Sequence, residues 1–269
     1  MDFNVEKVTK DIITFIRNYY KENNLGGAVI GISGGKDSAV VAGLFTLALG
    51  KNNVKGIWMP CHSKNIDYQD AIKLEKQFGF KLLEYDLTKT YDNYVKDIKR
   101  NFKVDDHVLH NSNINIKPRL RMLTLYYFAA MLSELENKTY IVPGTSNKCE
   151  IYSGYFTKGG DNVSDILVLS DLTVDEVIMI GDYIGVPYEI CHKTPDDGLS
   201  GKSDEEKLGV KYSEIKEVIK EEETGISSSL KEETREKILK LHQKSLHKYK
   251  TPAFKKVEWD EIRYLYGEF

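Results

Sequence analysis

Six adjacent residues, Ser33-Gly34-Gly35-Lys36-Asp37-Ser38, gather groups that can hold an anion and a cation at one turn. Gly34 and Gly35 let backbone approach an anion closely, and the Ser33 and Ser38 hydroxyls can donate hydrogen bonds to it. A helix opening near Ser38 adds unpaired N–H groups and the positive end of a helix dipole. Asp37 is unfavourable beside a phosphate unless a cation lies between them. A hard Mg²⁺, bound by carboxylate and phosphate oxygens together, resolves that conflict. The turn is not a Walker loop, because Lys36 is followed by Asp37 rather than Ser or Thr, and no G-x-G-x-x-G is present. The plain alternative is an ordinary strand-to-helix turn with a serine N-cap.

Such a turn needs a buried strand before it and a helix after it. Ala28-Val29-Ile30-Gly31-Ile32 is a short continuous apolar run, the pattern of a strand covered on both faces. An apolar helix is expected from Ala39 to Leu49. Ahead of the strand, Val5, Val8, Ile12, Phe15, Ile16 and Tyr19 recur at helical spacing until Gly26-Gly27 stops them. The unit repeats as a strand over 54–59, a helix over 66–78 and a strand over 81–87. Tyr140-Ile141-Val142-Pro143 reads as a fourth strand, after a helix whose Leu120, Thr124, Tyr127, Met131 and Leu135 share one face. Tyr188-Glu189-Ile190 reads as a fifth. The alternation predicts an α/β fold: a single-domain, Rossmann-like parallel sheet with helices on both faces and ligands beyond the carboxyl ends of the strands. Two polar stretches, 103–115 and 193–209, are expected as loops, the second as a lid.

Composition narrows the setting. The 269 residues carry 38 Lys+Arg against 41 Asp+Glu, a net charge of -3, which gives no electrostatic warrant for nucleic-acid binding. The longest apolar stretch, Ala39 to Leu49, is interrupted by Gly43 and Thr46 and falls far short of the ~20 residues of a membrane span. The acidic residues near the amino terminus do not read as a signal peptide. Three widely spaced cysteines, Cys61, Cys149 and Cys191, include no C-x-x-C pair, which suits a reducing cytoplasm.

The Ser33–Ser38 loop resembles the pyrophosphate-binding loop of the ATP pyrophosphatases, and the rest of the chain resembles the NAD synthetases among them. Asn115-Ile116-Lys117-Pro118-Arg119-Leu120-Arg121-Met122 is similar to that family's N-x-x-A-R-x-R-M segment. Pro143 to Glu150 is similar to its G-T-x-N-x-x-E turn, and Gly154 to Asp161 to its G-x-F-T-K-x-G-D segment. Leu199 to Gly209 and Ser245-Leu246-His247-Lys248 match two further motifs in the family's order. The resemblance implies an adenine nucleotide alpha-hydrolase-like fold and an ammonia-dependent ligase that forms a C–N bond in NAD biosynthesis. By the same resemblance, the carboxylate of deamido-NAD is expected to be activated by ATP as an acyl-adenylate, from which ammonia displaces AMP. It implies ATP at Gly31, Ile32, Ser33, Gly34, Gly35, Lys36, Asp37, Ser38 and Thr145, with Mg²⁺ on Asp37 and Glu150. Deamido-NAD falls to Arg119, Lys158, Asp165, His247 and Lys248, and the catalytic roles to Asp37, Lys158 and Asp165, the last as a candidate acceptor for the ammonium proton. A cytoplasmic homodimer is implied, with His247 and Lys248 serving the partner's site.

Three positions depart from the family pattern. Asp196 replaces a hydroxyl expected on ATP, Val174 an expected lysine, and Tyr249 an arginine, with Lys193 or Lys202 as candidates to compensate. Ammonia is the expected nitrogen source, since only one predicted helix precedes Ser33 where glutamine-using relatives carry a large amidohydrolase domain. A separate chain supplying ammonia stays open, as do a different adenylating enzyme and an adenine-nucleotide sensor on the same fold. One domain over 1–269 is expected, with an ATP pyrophosphatase core over about 26–192, a lid over about 193–210 and a helical segment over about 211–269.

Overall fold

The computed structural model describes residues 3–63, 65–193 and 203–249. Asp196, Lys202 and residues 194–202 of the expected lid lie outside them, as do residues 250–269. A four-stranded parallel sheet forms the centre. Its strands are β1 (Gly27–Ile32), β2 (Val54–Trp58), β3 (Lys81–Glu84) and β4 (Tyr140–Ile141), in the order β3-β2-β1-β4. The chain builds outward from β1 to β3 and then returns to the other side of β1. That reversal leaves a crevice at the carboxyl end of β1, where the Ser33–Ser38 loop emerges.

β1 is buried on both faces because its side chains alternate between two cores. Ala28, Ile30 and Ile32 face a cluster built with α1 (Val5–Glu22), α2 (Lys36–Leu49) and α7 (Val174–Ile184). Val29 faces a second cluster with Ala129 and Leu132 of α5 (Asp106–Glu136). The predicted sheet, with helices on both faces, is therefore the observed one. A third cluster joins Cys149 of α6 (Lys148–Ser153) to Tyr212, Ile215, Val218 and Ile219 of α10 (Tyr212–Thr224) and Ile238 of α11 (Glu232–Ser245).

Four expectations are corrected. Residues 106–115 are not a loop but the first turns of α5, which runs to Glu136 across Pro118. Tyr188–Cys191 is a helical turn, α8, capped against Pro187, rather than a fifth strand. The single expected strand over 140–143 is split. β4 joins the main sheet, whereas β5 (Pro143–Gly144) pairs with β6 (Ile166–Leu167) in a second, two-stranded sheet. Asp165 makes the break: its backbone N–H donates to Val142 O at 2.9 Å, and its Oδ2 accepts from Val142 N at 2.7 Å. Within the stretch expected as a lid loop, Asp204–Leu208 forms a short helix, α9, capped by Ser203.

The edge strand β4 is secured by charge. Tyr140 donates its hydroxyl to Glu136 Oε2 at 2.6 Å, and Lys138 and Lys55 lie 2.9 and 3.0 Å from the same carboxylate. The Tyr140 hydrogen bond leads, with Lys138 and Lys55 helping, and together they hold the Glu136 pKa at about 2, down from an ordinary 4.5. The stabilisation is present above pH 4.5 and is lost as pH falls through about 2. Urea titrations across that window should show the wild type losing stability as acid is added, with a shallower slope for Glu136→Gln. Equal slopes would mean that the carboxylate contributes nothing to the edge.

Candidate functional site

The Ser33–Ser38 loop is held in shape by its own hydroxyls. Ser33 N and Oγ lie 3.2 and 3.0 Å from Ser38 Oγ, which donates to Gly35 O at 3.0 Å, and Gly35 N donates to Ser33 Oγ at 3.2 Å. Gly35 is the N-cap of α2 and offers no side chain to its first N–H groups. Gly34 has φ +81°, and a Cβ there would sit 2.9 Å from the backbone of Asp67, at the start of α3 (Asn65–Phe78). Glycine is thus required twice over, by conformation and by space. Gly34→Ala should destabilise the fold by roughly 1–3 kcal/mol, the usual scale for a residue held in the left-handed region. Chemical denaturation checks this, and an unchanged midpoint would contradict the close approach.

Lys36 points inward, 5% exposed, with Nζ 3.1 Å from Asp37 Oδ2. Burial works against its charge, but Asp37, Glu150 and Asp204 outweigh burial and leave its pKa raised. The other Asp37 oxygen accepts from Asn147 Nδ2 at 3.1 Å. Asn147 is wholly buried and caps α6, taking Cys149 N and Glu150 N on its Oδ1 while its own N–H donates to Glu150 Oε2 at 3.1 Å. One asparagine therefore bonds both carboxylates that the sequence nominated for a metal. Burial first, and Asp37 second, push the Glu150 carboxyl well above its ordinary range, against the pull of Lys36. Two carboxylates brought this close to one another suit a hard divalent cation with oxygen ligands. Thr145 follows β5, half-buried, two residues before Asn147.

Three contributors lay beyond sequence reasoning. Asn147 is one. Asp204 is another: it is 7% exposed, accepts from the Tyr155 hydroxyl at 2.9 Å and acts electrostatically on both Lys36 and Glu150. The only signal for it was its place in the motif over Leu199–Gly209. The third is a pairing, not a residue. Lys193 Nζ bonds Asp67 Oδ1 at 2.6 Å and Asp70 Oδ2 at 3.0 Å and reaches Gly34 O at 3.4 Å, tying the end of the described stretch 65–193 to the loop. Val174 is partly buried against the third core cluster, so where a lysine was expected the chain has packing instead.

The second group of expected residues also converges. Arg119, exposed on α5, donates from Nε and Nη2 to Lys158 O at 3.2 and 3.1 Å. Lys158 Nζ donates to His247 O at 2.7 Å. Lys248 Nζ donates to Gly154 O and Phe156 O at 2.6 and 2.8 Å, and its burial lowers its pKa. His247 and Lys248 thus sit beside Lys158 of their own chain. Tyr249, in place of the expected arginine, sets its ring edge-on to Phe156 at 5.0 Å. Asp165 stands apart from these cations, with Oδ1 accepting from Tyr126 at 3.1 Å and Oδ2 from Val142 N. α6 joins the two groups. Glu150 is in its first turn and Gly154, which Lys248 holds, caps its other end, about 6 Å away for four residues at 1.5 Å each.

The arrangement offers an anion-binding loop, a pair of carboxylates for a hard cation, and a basic wall one short helix away. Residues 8–252 match the family model described as NAD synthase. An NH(3)-dependent NAD(+) synthetase of Carboxydothermus hydrogenoformans is 36% identical over 253 residues, covering 94% of this chain and 98% of that protein. Among solved structures, an NMN synthetase from Francisella tularensis superposes with a TM-score of 0.82 at 30% identity, covering 95% of this chain and all of the other. An NH3-dependent NAD synthetase from Campylobacter jejuni gives 0.77 at 26% identity, over 94% and 100% of the two chains.

Proposed function

The chain belongs to the NAD synthase family, and on that premise we propose that it is a ligase that amidates deamido-NAD with ammonia at the expense of ATP, the last step in making NAD. The observation that carries the reading is the convergence of Lys36, Asp37, Asn147 and Glu150 at the carboxyl end of β1. A carboxylate resists amidation because its charge repels nucleophiles and oxide is a poor leaving group. In the first step the nicotinate carboxylate oxygen attacks the α-phosphorus of ATP, forming an acyl-adenylate and releasing pyrophosphate. In the second, ammonia attacks the acyl carbon, the C–O bond to AMP breaks, and a proton passes to a local acceptor.

The loop from Gly31 to Ser38, with Thr145, is proposed to hold the nucleotide, its glycines and hydroxyls facing the β- and γ-phosphates. Asp37 and Glu150 would hold Mg²⁺, whose chemistry there is to neutralise charge growing on the departing pyrophosphate. Lys36 orients Asp37 through their ion pair, and Asn147 bonds both carboxylates. Arg119, Lys158, His247 and Lys248 supply the cations that a diphosphate with a free carboxylate needs, Arg119 by a bidentate fork. Asp165 is proposed to contact the same substrate. Its hydrogen bonds to Val142 and Tyr126 support a fixed wall rather than a mobile base. Lys193 anchors the segment that would close over the adenylate and keep water from it. The three free, buried cysteines support a reducing compartment, the cytoplasm. No helix among the described residues is long and apolar enough to cross a membrane.

A second reading follows from the likeness to the NMN synthetase: the mononucleotide acid replaces the dinucleotide as acceptor. Both are tested by one chromatographic assay with ATP, Mg²⁺, ammonium chloride and either acid. Stoichiometric NAD and AMP with higher kcat/KM for deamido-NAD is expected, and preference for the mononucleotide would favour the second reading. Asp37→Ala and Glu150→Ala should each lower kcat by about 10²–10³-fold, the scale of losing one transition-state charge partner. ATP bound without AMP or amide formed would contradict both readings.

A homodimer is proposed on the outward stripe of α5. Leu123, Tyr127, Met131 and Leu135 follow one another at four-residue spacing, all exposed, Leu123 at 62%. Tyr127→Asp with Leu135→Asp should turn a sedimenting dimer into a monomer, whereas a monomeric wild type would remove the proposal.

A further inference from the structure

We propose that Asp182, Cys191 and His192 form a binding site for a borderline-soft divalent cation of the zinc type, separate from the oxygen-only pair at Asp37 and Glu150. The inference goes beyond the amidation reading and does not depend on it. Asp182 lies in the last turn of α7, Cys191 ends α8 and His192 caps it. A carboxylate oxygen, the thiol sulfur and a ring nitrogen, one from each residue, all lie within 4.8 Å of one another. His192 Nε2 is 3.1 Å from both Asp182 oxygens, and the Cys191 thiol turns toward the same carboxylate and toward Ile178 O at 3.4 Å. Two protons thus occupy the space between one sulfur, one nitrogen and one carboxylate. A divalent cation in their place gains thiolate, imidazole and carboxylate ligands, the mixed set that suits zinc, with water as the fourth.

The geometry is prepared in advance. The His192 ring is stacked on Tyr188, with centroids 4.1 Å apart and planes 22° from parallel, so its nitrogen is already aimed. A Cβ on Gly181 would lie 2.4 Å from Cys191 Sγ, so glycine makes room for the sulfur. Burial, and then Asp182, push the thiol up to about 12, so a bound cation displaces its proton. The side chains of Asp182 and His192 are 46% and 32% exposed, which opens a path for the ion and a place for its water. Lys193 comes next in the chain, so an occupied site would also fix the backbone leading to the Gly34, Asp67 and Asp70 contacts.

Cobalt(II) makes such a site visible. Titrated into the reduced protein with Mg²⁺ in excess, one equivalent should raise a thiolate-to-cobalt charge-transfer band and the strong visible bands of four-coordinate cobalt. Zinc should bleach both, and Mg²⁺ should not. Cys191→Ser should abolish the charge-transfer band. Asp182→Asn and His192→Gln, which change exposed side chains and leave the core intact, should each weaken cobalt binding by at least about 10–100-fold, the scale of losing only a group that orients a ligand. Cobalt bound without a charge-transfer band, a band that survives Cys191→Ser, or unchanged affinity in both Asp182→Asn and His192→Gln would overturn the proposal.

Discussion

The buried Lys36–Asp37 pair, 3.1 Å apart at the first turn of α2, is the interaction on which the rest of the site depends. A buried lysine is costly without a partner, and a buried pair missing one member costs several kcal/mol. Lys36 must therefore face inward onto Asp37, and this sets the direction in which Asp37 offers its oxygens. Asn147 then reads that position from the other side of the crevice and passes it to Glu150 through the cap of α6. One ammonium is set against Asp37, Glu150 and Asp204, and burial first, with this excess of negative charge second, holds the Glu150 proton tightly. A divalent cation relieves that excess.

The sheet brings the parts together. Strand order β3-β2-β1-β4 places the loop after β1 next to the connection leaving β4, which runs through Thr145 and Asn147 into α6. From there α6 carries Glu150 at one end and Gly154 at the other, and Lys248 returns from far along the chain to close on Gly154. A carboxylate pair and a basic wall joined by one short helix suit the proposed placing of a triphosphate beside an anionic dinucleotide. The Asp182–Cys191–His192 cluster lies behind this, and Lys36 and Asp37 both act electrostatically on the Cys191 thiol.

The central strands were legible because burial on both faces leaves an uninterrupted apolar run, as in Ala28–Ile32. The first turns of α5 were not, because residues 106–115 carry little apolar side chain to mark a helix. Tyr188–Ile190 is too short for periodicity to separate strand from helix, and the packing of α8 on α2 and α7 decided it. The break after Ile141 depends on Asp165, 23 residues on from Val142, and no local pattern announces it. Within the site, residue types pointed to the loop, whereas Glu150 and the basic residues were nominated only by the resemblance of their motifs to a family. The pairings Asn147–Asp37 and Lys193–Asp67 were invisible, since each joins residues more than a hundred positions apart.

The central claim is that this loop directs attack at the α-phosphorus of ATP, and an oxygen label follows that step directly. Deamido-NAD carrying ¹⁸O in its nicotinate carboxylate, turned over with ATP and ammonia, should deliver one labelled oxygen to AMP and none to pyrophosphate. Label in inorganic phosphate with ADP as the other product would place the attack at the γ-phosphorus and contradict the account.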